Sequence, residues 1–296
     1  MEYKLLLLFE KILILLPKSF RKGFFSLLAS IGYIASKKYR NIARQNLNYA
    51  FDNSMDKAEI KAITKYSFKN LLYNFLYLIE IRNLPKEEIC KKITIVNKEV
   101  ANRVHAEGRA VIYAAPHYCA WELGAVGLVM EIEPISAVYK KLKNRAYEQW
   151  LLEARARFGN TNLEKTNVIK PLIKLIKEGK DSAILIDTNI NKKEGLMVEF
   201  MGKPLRQTAT PAYLARKFNA AIIPTHIRTD DEENYTIILG DEIKVNKTDN
   251  PQKDILEATQ AQADWLSDII RKEPKFWFWL HRRWKGDNPE IYKEHL

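Results

Sequence analysis

Cysteine is scarce in this chain. Its 296 residues include only Cys90 and Cys119, which provide neither a disulfide framework nor a C-x-x-C metal pair. A reducing compartment is therefore expected, and stability must come from an apolar core, which a chain of this length can bury. Hydrophobic residues make up 47% of the sequence, which argues against a disordered chain.

The motifs of several enzyme classes are also missing. The sequence contains no G-x-x-x-x-G-K-[ST] phosphate loop, no G-x-G-x-x-G, no G-x-S-x-G elbow and no H-E-x-x-H. Each of these motifs carries a defined nucleotide or hydrolytic chemistry. Their absence argues against an NTPase, a dinucleotide enzyme, an α/β-hydrolase and a zincin.

No apolar run is long enough to predict a transmembrane helix. Residues 5–16 are interrupted by Glu10 and Lys11, and the second run, residues 23–36, is also short, whereas a helix needs about 20 apolar residues to span a bilayer. A cleaved signal peptide is not expected either. No small-residue cleavage site precedes the basic stretch 18–22.

Acidic residues are outnumbered, since 48 Lys and Arg against 36 Asp and Glu give a net charge of +12. The excess favours an anionic partner, whether nucleic acid, an acidic membrane or a phosphorylated substrate. Lys4, Lys11 and Lys18 recur every seventh residue and would line one side of a helix. We therefore predict that residues 1–36 form an N-terminal membrane-associating segment, with lysines towards anionic headgroups. The alternative is an amphipathic helix packed into a soluble protein.

Residues 37–296 read as one domain, because no repeat, low-complexity tract or Gly/Ser-rich linker divides them. Buried strands alternate with helices, which predicts an α/β sheet covered by helices. The predicted strands are residues 93–96, 110–115, 135–139, 182–187, 221–228 and 235–239. The predicted helices are residues 56–81, 100–107, 118–130, 144–158, 168–178, 210–218 and 254–271.

His117 and Glu122 are the candidate catalytic residues. They follow the predicted strand 110–115, at the sheet edge where open α/β folds bind ligands. His117 suits the role of general base, because an imidazole has an ordinary pKa near 6.5. Glu122 would orient the imidazole and stabilise the imidazolium, as the acid does in a catalytic triad.

The spacing of the two residues sets a condition on this role. Five steps along a helix leave the side chains about 140° apart, so they meet only if His117 lies in the turn before the helix. The alternative is a capping histidine and a solvent-facing glutamate. A His117–Glu122 pair facing a pocket would favour catalysis, whereas a pair splayed over a packed surface would favour a non-catalytic binding protein.

Residues 117–122 resemble the H-x4-[DE] motif of the lysophospholipid acyltransferase superfamily. From Lys37 almost to the C-terminus the chain is similar to its lipid A biosynthesis branch, the late lauroyl/myristoyl acyltransferases of Gram-negative bacteria. Residues 274–285 resemble the closing P-x-x-[YF]-x-W-x-H-R-R-[FW]-K of that family. Further similar stretches are residues 40–47, 200–204 and 212–216.

The resemblance implies further site residues. Arg157 matches a family arginine placed to bind or polarise the acyl or phosphate end of the substrate, and Asp187 matches an acidic residue near the active site. The alternatives are an arginine at a helix C-terminus and a capping aspartate. Lys140 stands where the family often has arginine and is expected to bind substrate, and Thr188 replaces a frequent Gln or His.

The resemblance also implies a glycerolipid-acyltransferase-like fold, a mixed α/β sheet flanked by helices with an N-terminal membrane-associating helix. The expected reaction moves a fatty acyl group from an acyl thioester, acyl carrier protein or acyl-CoA, to a hydroxyl of a lipid A precursor. The expected location is the cytoplasmic face of the inner membrane. No metal or redox cofactor is required.

Other partners stay open at this point. The same chemistry could act on a lysophospholipid, glycerol phosphate or a mannosylated lipid. The basic and aromatic residues 277–285 could form a nucleic-acid surface, a membrane interface or a packed aromatic strand. We expect a membrane surface and an anionic lipid acceptor, and no nucleic acid.

Overall fold

The computed structural model describes residues 1–190 and 194–295. The longer helices are α1 (Glu2–Leu15), α2 (Lys18–Ala35), α3 (Lys37–Ala50), α4 (Lys57–Asn83), α7 (Trp121–Glu131), α8 (Arg145–Ala156) and α11 (Pro251–Lys272). The shorter helices are α5 (Lys86–Cys90), α6 (Lys98–Ala106), α9 (Ile169–Lys177) and α10 (Thr210–Phe218). The strands are β1 (Ile93–Val96), β2 (Val111–Ala115), β3 (Ile135–Tyr139), β4 (Thr161–Glu164), β5 (Asp181–Leu185), β6 (Leu196–Phe200), β7 (Lys203–Gln207), β8 (Ala221–Arg228) and β9 (Tyr235–Leu239).

Within the described ranges, seven strands form one sheet in the order β1-β9-β8-β2-β5-β3-β4, and β6 and β7 form a separate hairpin. The five strands from β8 to β4 are parallel to their neighbours, whereas β9 runs antiparallel to β8. The predicted mixed sheet flanked by helices is confirmed. The predicted strands at 93–96, 135–139, 221–228 and 235–239 have the observed bounds.

The two faces of the sheet are covered by different helices. Alternate residues of a strand point to opposite faces, so Ile112 packs with Leu172 and Leu214 under α9 and α10, while Tyr113 belongs to the larger core on the other face. The pairing of Ala115 with Leu185 places the carboxyl ends of β2 and β5 side by side. The residues that follow these two strands therefore leave the sheet together.

Helices α1 and α2 meet at Pro17 and pack against α4 and α8. Glu10 is only 3% exposed, and its carboxylate accepts hydrogen bonds from Arg82 (2.9 Å) and from the indole of Trp150 (2.7 Å). Arg21 is buried in the same way and pairs with Glu80 at 3.0 Å. These ion pairs join the N-terminal helices to the rest of the core.

Large apolar side chains are exposed on the solvent side of α1 and α2. Those of α1 recur at helical spacing, so they form one continuous face, and Leu15 is 84% exposed. The exposed apolar residues are Leu5, Leu8, Phe9, Ile12, Leu15, Leu16, Phe20, Leu27, Ile31 and Ile34. We call these ten residues the outer apolar face. No helix in the described part of the chain is both long and apolar enough to cross a membrane.

The predicted row of lysines on one helix is wrong in part. The chain breaks at Pro17, because proline there ends the backbone hydrogen bonding of α1. Lys4 and Lys11 are exposed on α1, whereas Lys18 begins α2 and pairs with Glu233. The role of residues 1–36 at a membrane stays a prediction.

A segment near the C-terminus closes over the end of β2. The backbone N–H of Cys119 donates to the carbonyl of Phe276 (2.8 Å), and the N–H of Phe278 donates to the carbonyl of His117 (3.0 Å). Tyr118 and Trp277 therefore form an antiparallel bridge. Residues 274–285, which we call the closing segment, thus lie directly against the turn that carries His117.

Candidate active site

His117 lies in a turn between β2 and α7. The helix begins at Trp121 rather than at the predicted residue 118, because Cys119 has a left-handed backbone with φ of 49°, which an α-helix cannot contain. Asn74 of α4 holds this turn, since its amide group donates to the carbonyl of Cys119 (2.9 Å) and accepts from the backbone N–H of Glu122 (3.2 Å).

The side chain of His117 is bound to Asp187. The Nδ1 atom lies 2.9 Å from Oδ1 of Asp187, and the backbone N–H of His117 donates to Oδ2 at 2.8 Å. Asp187 follows β5 and His117 follows β2, so the contact joins two neighbouring carboxyl ends. An unprotonated carboxylate only accepts hydrogen bonds, so Nδ1 carries the proton and Nε2 is left as the basic atom.

Asp187 is ionised in a buried position. Its side chain is 0% exposed. Burial by itself raises the pKa of Asp187, but the charge and hydrogen bonds of His117 outweigh burial and leave the pKa well below its ordinary value. A permanent negative charge at Nδ1 stabilises the imidazolium that forms when Nε2 accepts a proton.

The His117 ring is partly open and has aromatic neighbours. Its side chain is 26% exposed, and in the described part of the chain Nε2 has no protein hydrogen-bond partner. The rings of Trp121 and Phe278 lie 5.5 Å and 6.0 Å from it, centroid to centroid, and that of His281 lies at 6.5 Å. The basic nitrogen is therefore accessible beside an aromatic rim.

The predicted contact between Glu122 and His117 is not formed. Glu122 is 5% exposed and makes a bidentate ion pair with Arg155, at 2.7 and 2.9 Å. Its Oε1 also accepts from the indole of Trp121 at 3.1 Å, and the Trp121 ring lies 5.5 Å from that of His117, centroid to centroid. The turn does bend His117 back as the spacing required, but towards Asp187, so Asp187 rather than Glu122 orients the ring. Glu122 is not the solvent-facing residue of the alternative interpretation either.

Arg157 lies at the end of α8 and binds the last turn of α4. Its guanidinium donates to the carbonyls of Ile81 and, at 2.7 Å, of Leu84. This is the arrangement expected of a basic residue at a helix C-terminus. Arg155, two residues earlier, is the arginine that the fold connects to Glu122. Substrate binding by Arg157 stays a prediction.

Lys140 follows β3 and is exposed at the carboxyl edge of the sheet. Because β3 is parallel to β5 and adjacent to it, Lys140 lies at the same edge as Asp187. Neighbouring exposed cations in this loop are Lys141, Lys143 and Arg145. Substrate binding by Lys140 also stays a prediction.

Four residues of the site were missed from the sequence. Arg155 and Asn74 have no motif around them, since Arg155 lies on the amphipathic helix α8 and Asn74 on the long, largely buried helix α4. Trp277 and His281 lie in the closing segment, whose similarity to a family pattern was noted without any role for the single residues. The indole of Trp277 donates to Oδ2 of Asp187 at 3.0 Å, and Nε2 of His281 lies 3.1 Å from the Asp187 carbonyl.

Comparison of the sequence with known proteins identifies the family of this chain. Residues 2–286 match the sequence profile of the bacterial lipid A biosynthesis acyltransferases. The chain belongs to this family. It is an O-acyltransferase, and the family's chemistry is the transfer of an acyl group to a lipid acceptor.

Curated relatives carry two kinds of name. A lipid A biosynthesis acyltransferase of Haemophilus influenzae is 23% identical over 266 residues, which cover 88% of this chain and 81% of the relative. The lipid A biosynthesis myristoyltransferase of Escherichia coli K12 is 21% identical over 280 residues, 93% of this chain and 84% of the relative. A phosphatidylinositol mannoside acyltransferase of Mycolicibacterium smegmatis is 26% identical over 184 residues, 61% of this chain and 58% of the relative.

Proposed function

We propose that this chain transfers a fatty acyl group from an acyl thioester to a hydroxyl of a lipid A precursor, with His117 as general base. The acceptor's O–H proton passes to Nε2 of His117 while its oxygen attacks the thioester carbonyl. When the tetrahedral intermediate collapses, the C–S bond breaks and the imidazolium returns its proton to the thiolate. The single observation that carries this proposal is the 2.9 Å contact between Nδ1 of His117 and buried Asp187.

The proposal divides the acidic residues between two tasks. Asp187 fixes the imidazole tautomer and stabilises the imidazolium. Glu122 holds Arg155 through two parallel hydrogen bonds, a geometry that fixes a guanidinium in one orientation. Arg155, rather than Arg157, then stabilises the oxyanion or a substrate phosphate.

Donor and acceptor are expected to approach by different routes. The aromatic rim of Trp121 and Phe278 offers an apolar surface for the acyl chain next to Nε2. The exposed cations from Lys140 to Arg145 suit an anionic donor, either acyl carrier protein or CoA. The outer apolar face suits the lipid surface that holds the acceptor, at the cytoplasmic face of the inner membrane.

A mannosylated lipid is a second candidate acceptor. The specific observation in its favour is the 26% identity to the phosphatidylinositol mannoside acyltransferase, although that match spans less of either chain than the lipid A relatives do. Both acceptors present a sugar hydroxyl and an anionic group, so the base and the oxyanion stabiliser described here serve either one.

Two measurements together separate the candidates. Lipid extracts of a strain lacking this chain are compared with the parent by mass spectrometry, and the purified protein is assayed with each acceptor and with acyl carrier protein or CoA thioesters. We expect lipid A that lacks one acyl chain in the mutant, and product with the lipid A precursor in vitro. Unchanged lipid A together with product only on the mannosylated lipid would contradict the proposal and support the second candidate.

A further inference from the structure

Three tryptophans of the closing segment are equally buried but differ in what their indole N–H binds. Trp277, Trp279 and Trp284 are each 0% exposed. The indole of Trp277 donates to Oδ2 of Asp187 (3.0 Å) and that of Trp279 to the carbonyl of Pro274 (2.7 Å). The Nε1 atom of Trp284 has no hydrogen-bond partner among the described residues. One of the three therefore reaches the candidate acid–base pair.

We propose that Trp277 is a positioning residue, whose indole N–H fixes the Asp187 carboxylate and thereby sets the basicity of His117. This inference rests on the proposed function, because it assigns Trp277 a role in the reaction of that site. The family pattern quoted above has Tyr or Phe at this position, so the indole donor is a feature of this chain.

The carboxylate receives three N–H donors in the described structure. Two belong to His117, since its backbone N–H binds Oδ2 and its Nδ1–H binds Oδ1. The third is the indole of Trp277, which also binds Oδ2. Only this donor is independent of His117. It holds the carboxylate plane when the imidazole moves towards substrate or changes its charge.

The indole is itself held from several sides. The backbone of Trp277 pairs with that of Tyr118, in the turn that carries His117. Its ring packs edge-on to Trp279 at 4.6 Å and lies 5.6 Å from the ring of Phe200. A donor fixed by packing in this way loses little freedom when it makes its hydrogen bond, which is the property expected of a supporting residue.

Other charged and titratable groups also face the pair. His281 lies beside both members, with its ring 6.5 Å from His117 and its Nε2 3.1 Å from the Asp187 carbonyl. The buried guanidinium of Arg283 donates to the carbonyl of Thr188 at 2.9 Å. On the side of Trp121, the indole of that residue donates to Glu122, which pairs with Arg155. The experiment leaves all of these groups in place, so that only the side chain at position 277 changes.

The sign of the expected effect follows from the charge on Asp187. A hydrogen bond to a carboxylate stabilises its ionised form. Removing the indole N–H therefore makes the carboxylate more basic, so that it stabilises the His117 imidazolium more strongly. The pKa of His117 rises, and the acidic limb of the pH–rate profile moves to higher pH. The less restrained carboxylate also holds the ring less well, which lowers kcat.

The experiment compares Trp277→Phe with Trp279→Phe and Trp284→Phe in the full-length enzyme. A hydrogen bond to a charged group contributes enough to change a rate by about tenfold. We expect Trp277→Phe to lower kcat by about tenfold and to leave KM within about twofold. The acidic limb of its pH–rate profile should move to higher pH. The two control variants lose the same ring volume. We expect the acidic limb of their pH–rate profile to stay at the wild-type pH, even where their melting temperature falls.

Two further arms keep the test decisive. If Trp277→Phe does not fold, 3-benzothienylalanine is incorporated at position 277, which keeps the ring shape and removes only the N–H donor. The His117 pKa is also measured by NMR titration of labelled histidine, a readout that needs no turnover. A raised His117 pKa in the position-277 variant alone supports the proposal. Equal pKa values in that variant and Trp284→Phe overturn it, whereas absence of acyl transfer in the wild type overturns only the proposed function.

Discussion

At the scale of single residues, β5 carries a buried aspartate at each end, and each aspartate holds a histidine. Asp181 begins the strand and binds His105 at 2.9 Å, and Asp187 follows the strand and binds His117 at 2.9 Å. Only the second pair lies at the carboxyl edge of the parallel strands, where α/β sheets bind ligands. The first pair serves as a natural control for the second.

We expect Asp187→Asn to lower kcat by about 10⁴-fold, the loss seen when such a substitution imposes the wrong imidazole tautomer. The amide oxygen of asparagine would keep the two donors at Oδ2, namely the His117 backbone and the Trp277 indole. Its NH2 group would then face Nδ1 and place the proton on Nε2. Asp181→Asn should leave kcat per folded molecule nearly unchanged. Equal losses in both variants would show that Asp187 acts only in folding.

Arg155 and Arg157 can be separated by one pair of substitutions. Arg155→Gln removes the cation bound to Glu122. We expect it to lower kcat by about 10²–10³-fold, the loss typical when an oxyanion donor is removed. Arg157→Gln removes only contacts to the carbonyls at the end of α4. It should lower the melting temperature and leave kcat within a few fold. The reverse pattern would return the substrate-binding role to Arg157.

How far single residues could be predicted depended on the order of the strands. His117 and Asp187 both follow predicted strands, so a site at one sheet edge could be inferred from the sequence. That Asp187 rather than Glu122 binds His117 could not be inferred, because nothing in the local sequence shows that β5 lies next to β2. The role of Trp277 depends in turn on a backbone bridge between Tyr118 and the closing segment.

At the scale of elements, α1 and α2 have an unusual distribution of polarity. Two of their charged residues, Glu10 and Arg21, point inward to ion pairs with Arg82 and Glu80, while the outer apolar face points to solvent. Deleting residues 1–36 would leave Glu80 and Arg82 without these partners and would damage the core. Surface substitution is therefore the better test of membrane binding.

We expect the triple variant Leu8→Ser, Ile12→Ser, Leu15→Ser to float poorly with anionic vesicles while it melts at nearly the wild-type temperature. Burial of three large aliphatic side chains contributes several kcal/mol of lipid affinity, at about 1.5–3 kcal/mol each. Lys4→Gln with Lys11→Gln should weaken binding mainly at low salt, where charge matters most. If full-length protein fails to float with any vesicle, the membrane proposal fails.

Strands buried on both faces and helices with clear stops were predictable as elements, and four predicted strands had the observed bounds. The hairpin of β6 and β7 was not predicted, because charged and apolar residues are mixed in residues 196–207. These two strands pair with each other in a sheet of their own. The break at Pro17 was not predicted, because lysines at every seventh residue are also what one continuous helix would show.

At the scale of the whole molecule, acid should destabilise the fold through buried imidazoles. Burial lowers the pKa of His226 to about 4, and Glu273, Arg228 and Lys272 act on the same ring. The unfolded chain binds a proton near pH 6.5, so the unfolded state takes up more protons between pH 6.5 and 4. The free energy of unfolding therefore falls as the pH drops through this window.

Between pH 7 and pH 4.5, we expect the free energy of unfolding to fall less in His226→Phe than in the wild type. The difference between the two falls should be at most about 3 kcal/mol. The ring of His226 packs against Tyr118 and Trp265 and its Nδ1 atom has no partner in the described structure, so phenylalanine suits the position. Urea unfolding at both pH values measures the difference. Identical losses in the two proteins would exclude His226 as a source of acid sensitivity.

The most direct test of the account is the turnover of His117→Ala compared with His105→Ala, using acyl thioester and lipid A precursor at pH 7. Loss of a general base lowers the rate by about 10²–10⁴-fold. We expect that loss in His117→Ala with unchanged melting, and near wild-type turnover in His105→Ala, whose ring binds Asp181 at the opposite edge of the sheet. Near wild-type acyl transfer by folded His117→Ala would contradict the assignment of His117 as the base.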